Sequence, residues 1–319
     1  ALAIVGAGLG GWLFLSRSQP AGPPPQTVPL TSAPGYESDP ALSPDGKQVA
    51  YIRTEGGDGL AHLYVKLVDG GDPLALTTGE VRDSSPAWSP DGTRIAFLRW
   101  AEPGRYDVLE IPALGGATRR LGAAEGEGLS WSPDGATLAM VGRASPDEKP
   151  GIFLISTETG DIRRVVPAPP DAGFMGDQQP AFSPDGRALA FVRSWDWEGG
   201  SQEIHVQPLG AEDAIRLTSV ELFIWDVGWA SDGDSVLFST GATLASSQLM
   251  RIPVKGGSPS RMPVGDRARS FSVVGEQLAY AEVLEDSNIW RVSGPTSTTR
   301  TPPEPLIAST RDDMMPAYS

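Results

Sequence analysis

The tetrapeptide Ser-Pro-Asp-Gly occurs four times, at Ser43–Gly46, Ser89–Gly92, Ser132–Gly135 and Ser183–Gly186. Altered copies follow at Ala230–Gly233 and Ser272–Gly275, and Ser319 stands where a seventh would begin. The steps between successive first residues are 46, 43, 51, 47, 42 and 47. A period in the forties with β-type sequence inside each unit marks the blades of a propeller. The expected fold is all-β: four-stranded blades, six present plus the start of a seventh.

Each unit reads alike. A short apolar stretch (Pro86-Ala87-Trp88-Ser89) enters the tetrapeptide, and a β-rich run (Arg94-Ile95-Ala96-Phe97-Leu98) leaves it. Asp-Gly between two such runs is a tight hairpin, because Gly accepts positive φ and Asp bonds its own backbone. A third strand follows, such as Ile152-Phe153-Leu154-Ile155, then a Gly turn and a more polar fourth strand such as Ile215-Arg216-Leu217-Thr218. That polarity suits an edge strand. Val28–Ser32 reads as an unattached fourth strand, and Pro305–Thr310 as the fourth strand of unit six. The first then calls for a seventh blade opening at Pro316–Ser319; a six-unit ring with 28–32 lying loose is the competing arrangement.

Residues 1–15 are an unbroken apolar run, too short for the ~20 residues of a spanning helix. They read as a transmembrane helix truncated at its front, with the apolar region of a signal peptide as the alternative. Residues 16–27 form a Pro-rich linker, and 28–319 the propeller, truncated at its C-terminal end.

Composition narrows the chemistry. The chain of 319 residues has a net charge of −15, an estimated pI of 4.6 and no cysteine. Such a surface repels phosphate backbones and argues against nucleic acid as a partner. Thiolate metal sites, disulfides and cysteine nucleophiles are excluded. The two histidines, His62 and His205, lack a second ligand at metal spacing, and no Gly-x-Ser-x-Gly elbow or phosphate loop is present. No catalytic, metal or cofactor residues are assigned.

The connections from each fourth strand to the next first strand carry carboxylates: Glu37 and Asp39, Glu80 and Asp83, Glu125 and Glu127, Asp171 and Asp177, Glu221 and Asp226, Asp266, Asp312 and Asp313. Two readings stand. Either they form an electronegative rim for a basic protein or peptide or a small cationic ligand, or they are ordinary loop residues of an acidic protein. Trp195 and Trp197, between strands of unit four, are either contact anchors or a cover for the sheet edge. Arg53, Arg99 and Arg193 recur ten residues after their Ser and are expected to pair with a neighbouring blade's carboxylate.

The run Pro86–Phe97, with the Gly-Gly turn and Leu-Thr that follow, resembles the TolB-type, WD40-like propeller repeat of bacteria across roughly residues 28–319. Pro29–Ser32 and Gly35–Pro40 just after an apolar segment resemble bacterial single-pass proteins in which a cytoplasmic module precedes the helix and the propeller lies outside, in the periplasm. That module is a winged helix-turn-helix, as in CadC-like regulators, or a serine/threonine kinase domain. The resemblance implies a non-catalytic sensor or protein-docking propeller of a membrane-tethered signalling protein. A TolB-like periplasmic scaffold and the propeller gate of a serine peptidase are the other readings.

Overall fold

The computed structural model describes residues 27–31, 35–55, 59–166, 176–195, 201–218, 223–243, 246–282, 289–291 and 304–307. Unit one comprises β1 (Tyr36–Leu42), β2 (Gln48–Thr54), β3 (Ala61–Leu67) and β4 (Leu74–Ala75). Unit two comprises β5 (Asp83–Trp88), β6 (Arg94–Glu102), β7 (Arg105–Pro112) and β8 (Arg119–Ala124). Units three and four follow as β9 (Leu129–Trp131), β10 (Thr137–Gly142), β11 (Gly151–Ser156) and β12 (Ile162–Val166), then β13 (Gly176–Phe182), β14 (Ala188–Ser194), β15 (Gln202–Pro208) and β16 (Ile215–Arg216). Unit five holds β17 (Ile224–Trp229), β18 (Ser235–Thr240), β19 (Gln248–Pro253) and β20 (Ser260–Asp266). These five sheets are antiparallel and ordered as the strands occur in the chain. In unit six, β21 (Ala268–Val274) pairs with β22 (Gln277–Glu282), and β23 (Ile289–Arg291) pairs with β24 (Glu304–Ile307). The fold is thus an all-β propeller of four-stranded blades.

The tetrapeptide forms the hairpin expected of it. In unit two the Ser89 hydroxyl donates to Asp91 Oδ1 at 2.5 Å, the Thr93 amide donates to the same oxygen at 3.0 Å, and the Arg94 amide donates to Ser89 Oγ at 3.0 Å. Units one, three and four repeat the pattern. The Gly of each copy lies in the left-handed region, with φ of 69° to 72° at Gly46, Gly92, Gly135 and Gly186. Proline has a second task. A Cβ on Gly92, Gly135, Gly186 or Gly233 would lie within 4 Å of Pro44, Pro90, Pro133 or Pro184, so each turn's ring packs on the glycine of the next turn. The motif joins strands within a blade and blades to one another.

In units one to five the second strand is buried on both faces because its sheet is clamped between two neighbours. Hence the continuous apolar runs, rather than alternation, in β6 and β14. Six buried clusters fill six seams. Phe97 and Ile95 meet Ile52 and Leu63 between units one and two, and Met140 meets Leu98 between two and three. Phe191 meets Leu154, Phe238 meets Val206, and Phe271 meets Leu237 at the next three seams. The last cluster joins Leu42, Val49 and Tyr51 of unit one to Ala279 of unit six. Indole N–H groups add polar ties: Trp88, Trp131 and Trp229 donate to the carbonyls of Ala41, Ala87 and Ala181 in the preceding units, at 2.9 to 3.0 Å.

That last cluster changes the expected closure. Unit one contacts unit six directly: the Asp39 and Leu42 amides donate to the hydroxyls of Ser270 and Ser272, each at 3.0 Å. Among the described residues it is unit six that lies against unit one, as in the competing six-unit ring. Residues 316–319 lie outside the described residues. Val28–Thr31 form no strand; Leu30 instead packs beside Leu42 and Val49 in the closing seam. Residues 1–26 also lie outside the described residues, and no helix among those described is long and apolar enough to cross a membrane.

Candidate functional site

The first strands of all units face a central channel of about 830 Å³. At one end it is lined by Pro44, Pro90, Pro133 and Pro184 of the turns. Towards the other end the first strands are bulged: the register of β1 on β2, β5 on β6 and β13 on β14 slips just before the tetrapeptide. The bulged residues Asp39, Ser85 and Gln179 have φ of 51° or 52°, and Gly128 holds the same place in unit three at 98°. A non-glycine residue in this region is uncommon, and each of these three precedes a proline. Recurrence at one repeat position shows that the strain belongs to the fold's construction. The bulge turns these residues towards the axis, where they tie neighbours together. Ser85 N donates to Asp39 Oδ2 at 3.3 Å, and Gly128 N donates to Ser85 Oγ at 3.1 Å.

The expected rim separates into two groups. Four of its members, Asp83, Glu125, Asp177 and Asp266, are held by arginine. Asp83, fully buried, receives Arg99 through two bonds of 2.7 and 3.0 Å; Asp177 receives Arg193 through bonds of 2.7 and 2.9 Å. Burial still holds the Asp177 carboxyl above its ordinary range, against the pull of Arg193 and Arg164. Glu125 pairs with Arg143 at 3.0 Å and Asp266 with Arg261 at 2.6 Å, and Glu37 lies opposite Arg53 in register. Arg99 and Arg193 therefore pair within their own sheet, not with the neighbouring blade, because the first and second strands place these positions opposite each other; Arg53 pairs with Glu55 at 3.3 Å. Glu80 is exposed and does not line the channel. Trp195 is half-buried, with its indole donating to Glu203 Oε2 at 3.0 Å. Trp197, Asp171, Glu221, Asp312 and Asp313 lie outside the described residues. His205 is buried, stacks on Phe191 and bonds Glu203, as a packed histidine should.

Three carboxylates remain at the channel. Asp39 of unit one, Glu127 of the loop before β9 and Asp226 of unit five all line it. Burial raises Asp39, opposed by the Ser85 amide and the Arg269 charge. Burial pushes Asp226 up to about 7, with the negative charge of Asp39 acting in the same direction against the amides of Phe271 and Val227. Glu127 keeps an open face to the channel's water while protein surrounds its other sides. Its pKa is raised by that burial and by Asp39, against Arg269 and a hydrogen bond with the Tyr106 hydroxyl. Among the described residues, no group of three His, Cys, Asp or Glu could hold a metal ion.

Residues absent from the expected rim complete the mouth. Arg269 lines the channel, donates to the Tyr36 hydroxyl at 2.6 Å and lies over Trp225, 5.9 Å from the ring centre. Phe223, 40% exposed, packs on Trp225 with centroids 4.3 Å apart. The Trp225 indole N–H is buried with no hydrogen-bond partner. Aligning the units by their tetrapeptides would have found Arg269: three residues before each first Ser or Ala the other units carry Pro40, Pro86, Leu129, Pro180 and Val227.

Fold and site together define a β-propeller, five of whose described units are complete four-stranded blades, with an acidic, aromatic-walled channel mouth. Residues 26–164 match the protein family described as TolB beta propeller domain. A solved structure of a putative TolB from Agrobacterium tumefaciens is 22% identical, with a TM-score of 0.58 over 73% of this chain and 82% of that one. A chain of the nidogen/laminin complex superposes with a TM-score of 0.59 at 10% identity, over 78% of this chain and 87% of that one. A prolyl endopeptidase superposes with a TM-score of 0.51 at 18% identity, over 77% of this chain but 39% of that one. At these identities the likeness is one of fold. Among curated proteins none matches.

Proposed function

We propose that this chain is a non-catalytic docking propeller, tethered to a membrane outside the cytoplasm, that receives a cationic segment of a protein or peptide at its channel mouth. The observation that carries the reading is the convergence of Asp39, Glu127 and Asp226 on one aromatic-walled opening with Arg269 as the facing cation. Three carboxylates against one guanidinium leave the opening electronegative, and the low-dielectric walls strengthen its field. The apolar run of residues 1–15 and the Pro-rich residues 16–27 support a tether, and the likeness to TolB supports a periplasmic location. A signalling parent, of the winged-helix or kinase type, fits the same arrangement, with the propeller as sensor.

The site is tested by titrating a fluorescein-labelled hexa-arginine peptide against the chain and following anisotropy. The double substitution Asp39→Asn with Glu127→Gln is expected to weaken binding about tenfold or more, whereas Glu80→Gln, on the exposed surface, leaves it unchanged. Equal losses from both changes would mean that overall charge, not the channel mouth, attracts the peptide.

A further inference from the structure

We propose that Arg269 is a built-in competitor for the channel mouth: its guanidinium occupies the place that a partner's guanidinium or ammonium group takes, and must move aside for binding. This rests on the docking role of the mouth and adds its regulation. Four observations support it. Arg269 replaces an apolar residue found at the same position of every other unit, so the fold itself does not require it. It enters from unit six between Asp39 of unit one and Asp226 of unit five, and its charge reaches both Asp39 and Glu127. It has the two contacts a bound arginine would seek there, the face of Trp225 and the hydroxyl of Tyr36. Finally, it is held by reversible contacts. Among the described residues no two-point carboxylate pair locks it, in contrast to Arg99 and Arg193.

An arginine that merely neutralised the mouth for stability would be needed for binding or irrelevant to it. A competitor has the opposite sign: removing it improves binding. The partner class follows from what Arg269 touches, namely an arginine- or lysine-bearing peptide segment.

The experiment uses the full chain and the labelled hexa-arginine peptide at pH 8, above the value of about 7 to which Asp226 is raised. Arg269→Gln is expected to bind at least about fivefold tighter than the unsubstituted chain, the worth of one unit charge at contact in water. Tyr36→Phe, which frees the guanidinium without removing it, is expected to give a smaller gain; it decides the matter if Arg269→Gln fails to fold. Equal or weaker binding by the folded Arg269→Gln chain, with the unsubstituted chain still binding, overturns the competitor role and leaves the docking site standing. Absence of binding by all three chains overturns both.

Discussion

Asp226 shows how one side chain can serve a seam and a site at once. One carboxylate oxygen accepts the Phe271 amide across the junction of units five and six at 2.9 Å, and the other accepts Val227 N at 2.8 Å. Burial nonetheless dominates and lifts its pKa to about 7 from 3.8. The folded chain therefore keeps a proton between about pH 4 and pH 7 that the unfolded chain has released. Stability from this group falls as pH rises through that window and is level above it. Asp226→Asn keeps an acceptor for Phe271 N without the charge and gives up the one for Val227 N, a loss that does not vary with pH. Its stability relative to the parent chain is therefore expected to rise by about 1 kcal/mol or more between pH 5 and pH 8, read from urea midpoints at the two pH values. A difference between the two chains that stays the same at both pH values would contradict the assignment. Little of this was legible from sequence. Asp226 stands four residues before Ala230 and Asp83 six before Ser89, and that difference of two decides which turns to the axis and which meets Arg99; what the sequence does not show is the burial. The constant spacing of sixteen in Asp83/Arg99 and Asp177/Arg193 is the sequence trace of that pairing.

The turn is the element the sequence describes best, because its bonds run between residues two to five apart. Asp45, Asp91, Asp134 and Asp185 all have lowered pKa values, Asp91 to about 2, each chiefly through the hydroxyl of its own Ser. What the local motif hides is the neighbour. A Cβ on Gly135 would sit 3.7 Å from Pro90, an ordinary contact, whereas one on Gly186 would sit 3.2 Å from Pro133. Both glycines have nearly the same φ, 72° and 70°. Gly135→Ala should thus cost about 1–2 kcal/mol for the left-handed backbone alone. Gly186→Ala should cost more, since a proline ring must also give way. Thermal midpoints of the two variants check the order; equal midpoints would show that the turns do not press on one another. The edge strands were less legible. β4 and β16 are two residues long, shorter than their sequence runs, whereas the outer strands β8, β12 and β20 run for six, five and seven.

At the scale of the molecule the repeat predicts blades but not their number, since blade count depends on which first strand meets β1. The ring closes where the Asp39 and Leu42 amides meet Ser270 and Ser272 and where Ala279 covers Leu42, Val49 and Tyr51. Nothing in either local sequence announces that meeting. A chain ending after Asp266 would lack the whole covering surface. It is expected to bind an apolar dye such as ANS and to self-associate, while the full chain does neither; dye fluorescence and sedimentation velocity report the difference. A dye-silent, monomeric short chain would show that unit one is covered in some other way. The closing partners are 230 or more residues apart. At the roughly 5–20 residues per second of ribosomal synthesis, the opening strand of a nascent chain waits on the order of tens of seconds for its final neighbour. Through that delay its oily flank is bare, so newborn copies crowded on one messenger risk joining each other before each can join itself.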